Sequence, residues 1–138
     1  MDTRPIDAPL TTPDVPTAAE VAAAYWAAVE ARDWAAFGAL LADDVVYEMP
    51  QTRERIRGRD AYVQFNREYP GDWHTSVQRV VGTGAHGATW IAFTVDGRDE
   101  VGVSFFDLDV DGRIATVTDF WPEPYAPPPG REHFVERW

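Results

Sequence analysis

The hydrophobic period of this chain changes once, close to Pro70-Gly71, and that single change constrains the fold more than any other feature. Before it, apolar residues recur three and four apart, the spacing of one helix face. After it they fall in runs of strand length, broken at Gly82 to Gly87, Asp96-Gly97 and Asp111-Gly112, the residue types that tight hairpin turns need. Helices first and hairpin-connected strands second predict an α+β domain, in which helices pack on one face of a curved, mostly antiparallel sheet. A bent sheet closing over helices leaves a cone-shaped interior, and an apolar pocket is expected inside it.

Thr17-Ala18-Ala19-Glu20 reads as a capping box, and Val21, Tyr25, Ala28 and Val29 follow at helical spacing to about Arg32. Asp33 caps a second helix whose inward positions are Trp34, Phe37, Leu40 and Leu41, ending at Asp43-Asp44. A first strand is expected from Val45 to Met49, a basic loop from Arg53 to Arg59, and a third helix from Asp60 to Tyr69. Four strands are expected near 73–81, 88–95, 99–110 and 113–121. The domain then spans residues 17–122, flanked by a disordered tail at 1–16 and a Pro-rich, aromatic tail at 123–138.

Charge and composition remove several classes of function. A formal charge of −11 argues against nucleic acid and anionic membranes, which are held by clustered positive charge. All 12 basic residues are Arg and there is no Cys, so lysine Schiff bases, thiol nucleophiles and thiolate metal sites are excluded. No run approaches transmembrane length and no signal peptide is visible, which makes a cytoplasmic protein the expectation.

Two motif-like strings are better read as turns. Gly82-Thr83-Gly84-Ala85-His86-Gly87 has the spacing of a dinucleotide loop, but a strand follows it where such a loop opens a helix. Asp107 to Gly112 opens like a calcium loop, yet Thr118 occupies the position of the closing carboxylate. His74, His86 and His133 show no metal-ligand spacing, so neither a metal nor a cofactor is implied. Neither serine, Ser76 or Ser104, sits on a strand-to-helix elbow of the kind a serine nucleophile needs.

What remains is Asp119, a carboxylate inside the apolar and hydroxylic strand Ile114 to Trp121. Burying a charge there costs several kcal/mol unless it is paired or used, roughly the range for unpaired buried ions. Its face depends on the turn. A two-residue Asp111-Gly112 loop sets Asp119 opposite Ser104, whereas a three-residue loop with left-handed Gly112 sets it opposite Val103. In either register its neighbours are mostly apolar, which raises a carboxyl pKa and suits proton transfer. The bland alternative is a solvated or Arg-paired Asp at a strand end. The aromatics exceed what a small core needs, and a cavity for a flat or apolar ligand would use the surplus.

Ala31-Arg32-Asp33-Trp34, Leu41 to Val45, Met49-Pro50, Ile56 to Asp60, and Asp111 to Ile114 leading to Asp119-Phe120-Trp121-Pro122 stand in the order and spacing of one known family. On them the chain resembles the SnoaL-like, polyketide cyclase-like branch of the nuclear transport factor 2 superfamily. The resemblance implies that Asp119 is the catalytic acid/base and that Tyr25 matches the oxyanion tyrosine of ketosteroid isomerases. It sets Phe105 where cyclases carry a histidine and isomerases a second acid, and Met49 where isomerases carry their base. It favours the three-residue register, with Phe105 and Asp119 both facing the pocket.

The expected ligand is a small apolar or aromatic molecule, lined by Tyr25, Tyr47, Met49, Phe65, His74, Trp90, Phe105 and Trp121. The expected chemistry is a cofactor-free cyclisation, isomerisation, dehydration or hydration; the alternative is a non-catalytic ligand-binding or accessory domain. The resemblance also implies a homodimer through the outer sheet face, with Glu100, Gly102, Ser104, Phe106, Thr118 and Phe120 on that face.

Overall fold

The computed structural model describes residues 15–138, so most of the expected N-terminal tail lies outside the described residues. Helix α1, Ala18–Ala31, starts at the expected capping box: the Thr17 hydroxyl accepts from the Glu20 amide and the Glu20 carboxylate accepts from the Thr17 amide. It ends at Arg32, whose φ of 58° closes the helix in the left-handed region. Helix α2, Trp34–Ala39, is capped by Asp33, which accepts from the Ala36 amide at 3.0 Å. Helix α3 runs Arg59–Arg67. Together they bury Tyr25, Trp26, Phe37 and Tyr62 against one face of the sheet.

The sheet has six strands in the order β2-β1-β6-β5-β4-β3. These are β1 Leu41–Met49, β2 Glu54–Arg57, β3 Trp73–Thr83, β4 His86–Val95, β5 Arg98–Leu108 and β6 Ile114–Phe120. Every pairing is antiparallel except that of β1 with β6, which is parallel.

Two boundaries differ from expectation. Leu40 and Leu41 were expected to continue the second helix, but β1 begins at Leu41, which pairs with Ile114 while the Ile114 amide donates to the Leu40 carbonyl at 2.8 Å. A partner strand more than seventy residues away in sequence thus overrides local helical spacing. The basic segment expected as a loop contains β2, whose Ile56 sits opposite Tyr47. Its exposed Glu54, Arg55 and Arg57 are what an edge strand carries to resist further pairing.

The hairpins behave as their turn residues dictate. Asp96 and Gly97 take φ of 49° and 81° between paired Val95 and Arg98. Gly82 and Gly87 face each other across the β3-β4 hairpin, and a Cβ on either would come within 3.0 Å of α1 atoms, from Ala19 and Ala18 respectively. The glycines therefore serve close helix-on-sheet packing and not a dinucleotide. The calcium-like string is a hairpin as well: the Asp109 carboxylate accepts from the amides of Asp111 and Arg113, and Asp107 bonds His86 and Thr116.

Candidate active site

The β5-β6 hairpin decides where Asp119 points. Its turn is the three-residue type: the Asp109 amide donates to the Arg113 carbonyl, and Gly112 has φ of 82°. By itself that turn would place Asp119 opposite Val103. The pairing slips by one residue between Leu108↔Ile114 and Asp107↔Thr116, leaving Ala115 as an extra residue on β6. Beyond this bulge Asp119 pairs with Ser104, and both side chains are buried.

The bulge therefore corrects the register favoured by the resemblance. Gly102, Ser104 and Phe106 point inward, so three of the residues expected on the outer face lie on the helix-covered side, and Glu100 lines the cavity. Phe105 is outward and 47% exposed, and so is Trp90 at 47%. Neither lines the cavity. His74 is also outside it: its ring bonds Glu30 at 2.8 Å, and the Glu30 carboxylate accepts from the Thr75 amide, fastening the end of α1 to β3. Of the expected lining, Tyr25, Tyr47, Met49, Phe65 and Trp121 are in place, with Asp119 among them.

The cavity measures about 560 Å³ and lies between the sheet, α1 and α3. Trp26, Tyr69, Trp73 and Phe93 complete an aromatic wall that core-like spacing gave no reason to separate from ordinary core. Trp73 stacks with Phe93 at 6.1 Å between centroids, and Phe93 meets Trp121 edge-on at 5.3 Å. Trp121 follows the last residue of β6. Its amide and carbonyl are both bound by the Gln51 side chain from the β1-β2 turn, and its ring lies over Gly102, the only residue type that leaves room for it.

Asp119 forms part of this wall. Ser104 Oγ donates to Oδ1 at 2.6 Å and Tyr47 Oη donates to Oδ2 at 2.7 Å. Among the described residues no Arg pairs with it. Burial pushes its carboxyl up from the ordinary 3.8 to about 6, while the hydrogen bonds from Ser104 and Tyr47 and the neighbouring Trp121 indole hold it from rising further. Ser104 faced Asp119 in one of the two registers the sequence left open; the resemblance favoured the other, in which the more apolar set Val101, Val103 and Phe105 turns inward.

Behind Asp119 the tyrosines form a stack and a chain. Tyr47 lies on Tyr62 with 4.6 Å between centroids, and the Tyr62 and Tyr25 hydroxyls hydrogen-bond each other. Burial first, and the Asp119 charge after it, push the Tyr25 phenol up, so it stays a neutral donor. Tyr25 lines the cavity; when Tyr62 donates to it, its own proton is free to point at a ligand. Among the described residues no three His, Asp or Glu side chains cluster as metal ligands, and no helix is long and apolar enough to cross a membrane.

Known proteins carry the same architecture. A Kribbella flavida protein assigned provisionally to the ketosteroid isomerases is 50% identical, covering 86% of this chain and 87% of its own, with a TM-score of 0.83. A nuclear transport factor 2-like protein of unknown function from Burkholderia xenovorans is 28% identical over 86% of this chain and 93% of its own, with a TM-score of 0.74. An epoxide hydrolase of the limonene-epoxide-hydrolase-like type from M. tuberculosis is 25% identical over 75% of this chain and 80% of its own, with a TM-score of 0.64. Among curated proteins, none matches this chain by sequence. The family model for the SnoaL-like domain matches residues 22–117, from within α1 to Val117 in β6, two residues short of Asp119, and the chain belongs to that family.

Proposed function

We propose that the cavity is an active site in which Asp119 moves a proton on a small apolar or aromatic substrate, without a cofactor, in an isomerisation, cyclisation, dehydration or hydration. The observation that carries this reading is a carboxyl buried in the cavity wall with two hydroxyl partners, no Arg partner among the described residues, and a pKa near 6. A group poised there is populated in both protonation states near neutral pH, so one residue can take a proton and return it. As carboxylate it abstracts a proton from carbon or from water, while the Tyr25 hydroxyl donates to the oxygen on which charge builds. Such a donor is worth about 3 kcal/mol where it is preorganised. The provisional isomerase assignment of the 50% identical relative supports proton transfer, and Asp119 supplies the base that Met49 cannot.

The reading makes a pH profile its test. A base must be ionised, so kcat/KM is expected to rise with pH through about 6. Ser104→Ala and Tyr47→Phe each remove a hydrogen bond that favours the carboxylate, and each is expected to move that limb upward by roughly one unit. A limb that stays in place in both variants would mean that another group titrates.

A second reading rests on the same two hydroxyls: both Asp119 oxygens already have partners, as in a purely structural carboxylate. A binding or accessory domain would hold its ligand and return it unchanged, with no pH limb to move.

The outer sheet face supports a homodimer. Trp90, Val101 and Phe105 are 47%, 39% and 47% exposed, Val103 lies between Trp90 and Phe120 in the ladders, and Phe120 meets Phe105 edge-on. A contiguous aromatic and aliphatic patch on a strand surface is stable in water when a second copy covers it. Light scattering at micromolar concentration is expected to give the dimer mass, and Phe105→Arg the monomer mass. A monomeric wild-type protein would overturn this assignment.

A further inference from the structure

The cavity has a charge pattern as distinctive as its aromatic wall. Its buried depth holds Asp119, and its exposed mouth carries Glu54, Glu100 and Glu123. Among the described residues no Arg or His lines it. Arg98, itself 67% exposed, pairs with one of these, Glu100, at 3.5 Å, and Arg32 stacks on Trp73 and donates to its carbonyl. His74, beside Thr75, bonds Glu30 and Asp72 outside the cavity.

We infer that the molecule this cavity accepts is a cation: an apolar or aromatic body inside, and a protonated or quaternary amine at the mouth between the three glutamates and the rings of Tyr69 and Trp121. The inference rests on the cavity being the ligand site, as proposed above, and adds the charge class of the ligand.

The physical reasons are independent of each other. The three glutamates at the mouth, of which Glu100 alone has an Arg partner among the described residues, set a negative potential that repels an anion and concentrates a cation, and low-dielectric walls focus that field into the mouth. Aromatic faces add their own attraction for a cation, and eight of the lining residues are Tyr, Trp or Phe. A carboxylate or phosphate-bearing ligand would find no positive partner among the lining residues, and its desolvation would go uncompensated. A neutral ligand fits the interior but leaves the mouth carboxylates with nothing to recognise.

Three isosteric probes separate these cases: 1-naphthylmethylamine, 1-naphthylmethanol and 1-naphthoate, titrated into the full-length protein by calorimetry and followed at the indole N–H resonances of Trp26, Trp73 and Trp121. The amine is expected to bind about tenfold or more tighter than the alcohol at low salt, with the gap closing as salt rises, and the carboxylate is expected not to bind. Glu54→Gln, Glu100→Gln and Glu123→Gln combined should abolish the amine's advantage while leaving alcohol binding and thermal stability unchanged. Glu54 and Glu123 are exposed, and the one ion pair lost, Glu100 with the exposed Arg98, is of the surface kind, so folding is not at stake. Equal or tighter binding of the alcohol, or binding of the carboxylate, overturns the cation inference and leaves the cavity reading standing. If none of the three probes shifts the indole resonances, the cavity is not the ligand site and both readings fall.

Discussion

Asp119→Asn is expected to lower turnover of the natural substrate about a hundred- to ten-thousand-fold while leaving the protein folded, the range that a positioned acid/base contributes. The substitution keeps shape and volume, and the Ser104 and Tyr47 hydroxyls can rotate to satisfy an amide, so loss of activity would report chemistry and not collapse. Stability supplies an internal control with a defined sign. The folded carboxyl titrates at about 6 against an ordinary 3.8, so between those values the folded protein holds a proton that the unfolded chain has released. Stability therefore falls as pH rises through that window, by roughly 3 kcal/mol for a shift of about two units, and the cost is fully present above pH 6. The Asn variant cannot ionise and should lose that slope, ending at least as stable as wild type at pH 8. Denaturant midpoints from pH 3.5 to 8, measured beside kcat, check both halves. Unchanged turnover would remove Asp119 from the chemistry, and an unchanged slope would show that its carboxyl is not the buried titrating group.

The second large effect is expected at Gly102. A Cβ there would sit 2.7 and 2.9 Å from two carbons of the Trp121 ring and 3.1 Å from Ile91, closer than side chains approach. The ring has little freedom to yield, because Gln51 holds both the amide and the carbonyl of Trp121 and Pro122 follows. Gly102→Val should therefore either move β5 or expel the indole from the cavity wall. Overpacking of this kind costs about 1–3 kcal/mol. Expelling the indole also opens the mouth and is expected to weaken ligand binding about tenfold or more, equivalent to ~1.4 kcal/mol. Gln51→Ala should loosen the same indole with a smaller loss of stability, because it removes the clamp without adding a clash. A Gly102→Val protein with wild-type melting temperature and wild-type affinity would show that Trp121 is not held by this seat.

Helix α1 was legible down to its cap, because Thr17 and Glu20 satisfy each other's backbone within four residues and need nothing from the rest of the fold. The three hairpin turns were legible for the same reason: Gly97 and Gly112 take left-handed conformations that few other residues tolerate. The segment from Leu40 to Leu41 was not, since its apolar residues suit a helix and a strand equally and only pairing with Ile114 separates them. For the site, Asp119, Tyr25, Tyr47, Met49, Phe65 and Trp121 could be named from the sequence, while His74, Trp90 and Phe105 were assigned to a cavity they do not reach. The outer face explains the last two: an apolar residue on a strand signals burial against something, and the sequence does not say whether that is the protein's own core or another surface.

What the sequence determined by itself is therefore local: where helices start, where strands turn, and that one carboxylate stands in a strand too apolar to solvate it. Only the tertiary structure decided which side of the sheet that carboxylate faces and with whom. The three-residue turn alone would have set Asp119 against Val103, and the single extra residue at Ala115 returns it to Ser104. A turn's chemistry acts over a few residues, whereas register is chosen by the whole strand, through pairing of β6 with both β1 and β5 and burial of Ile114, Val117 and Phe106 in the core. Because side chains alternate from face to face, one bulged residue is enough to exchange Phe105 for Ser104 as the neighbour of the acid, and with it the chemistry of the site.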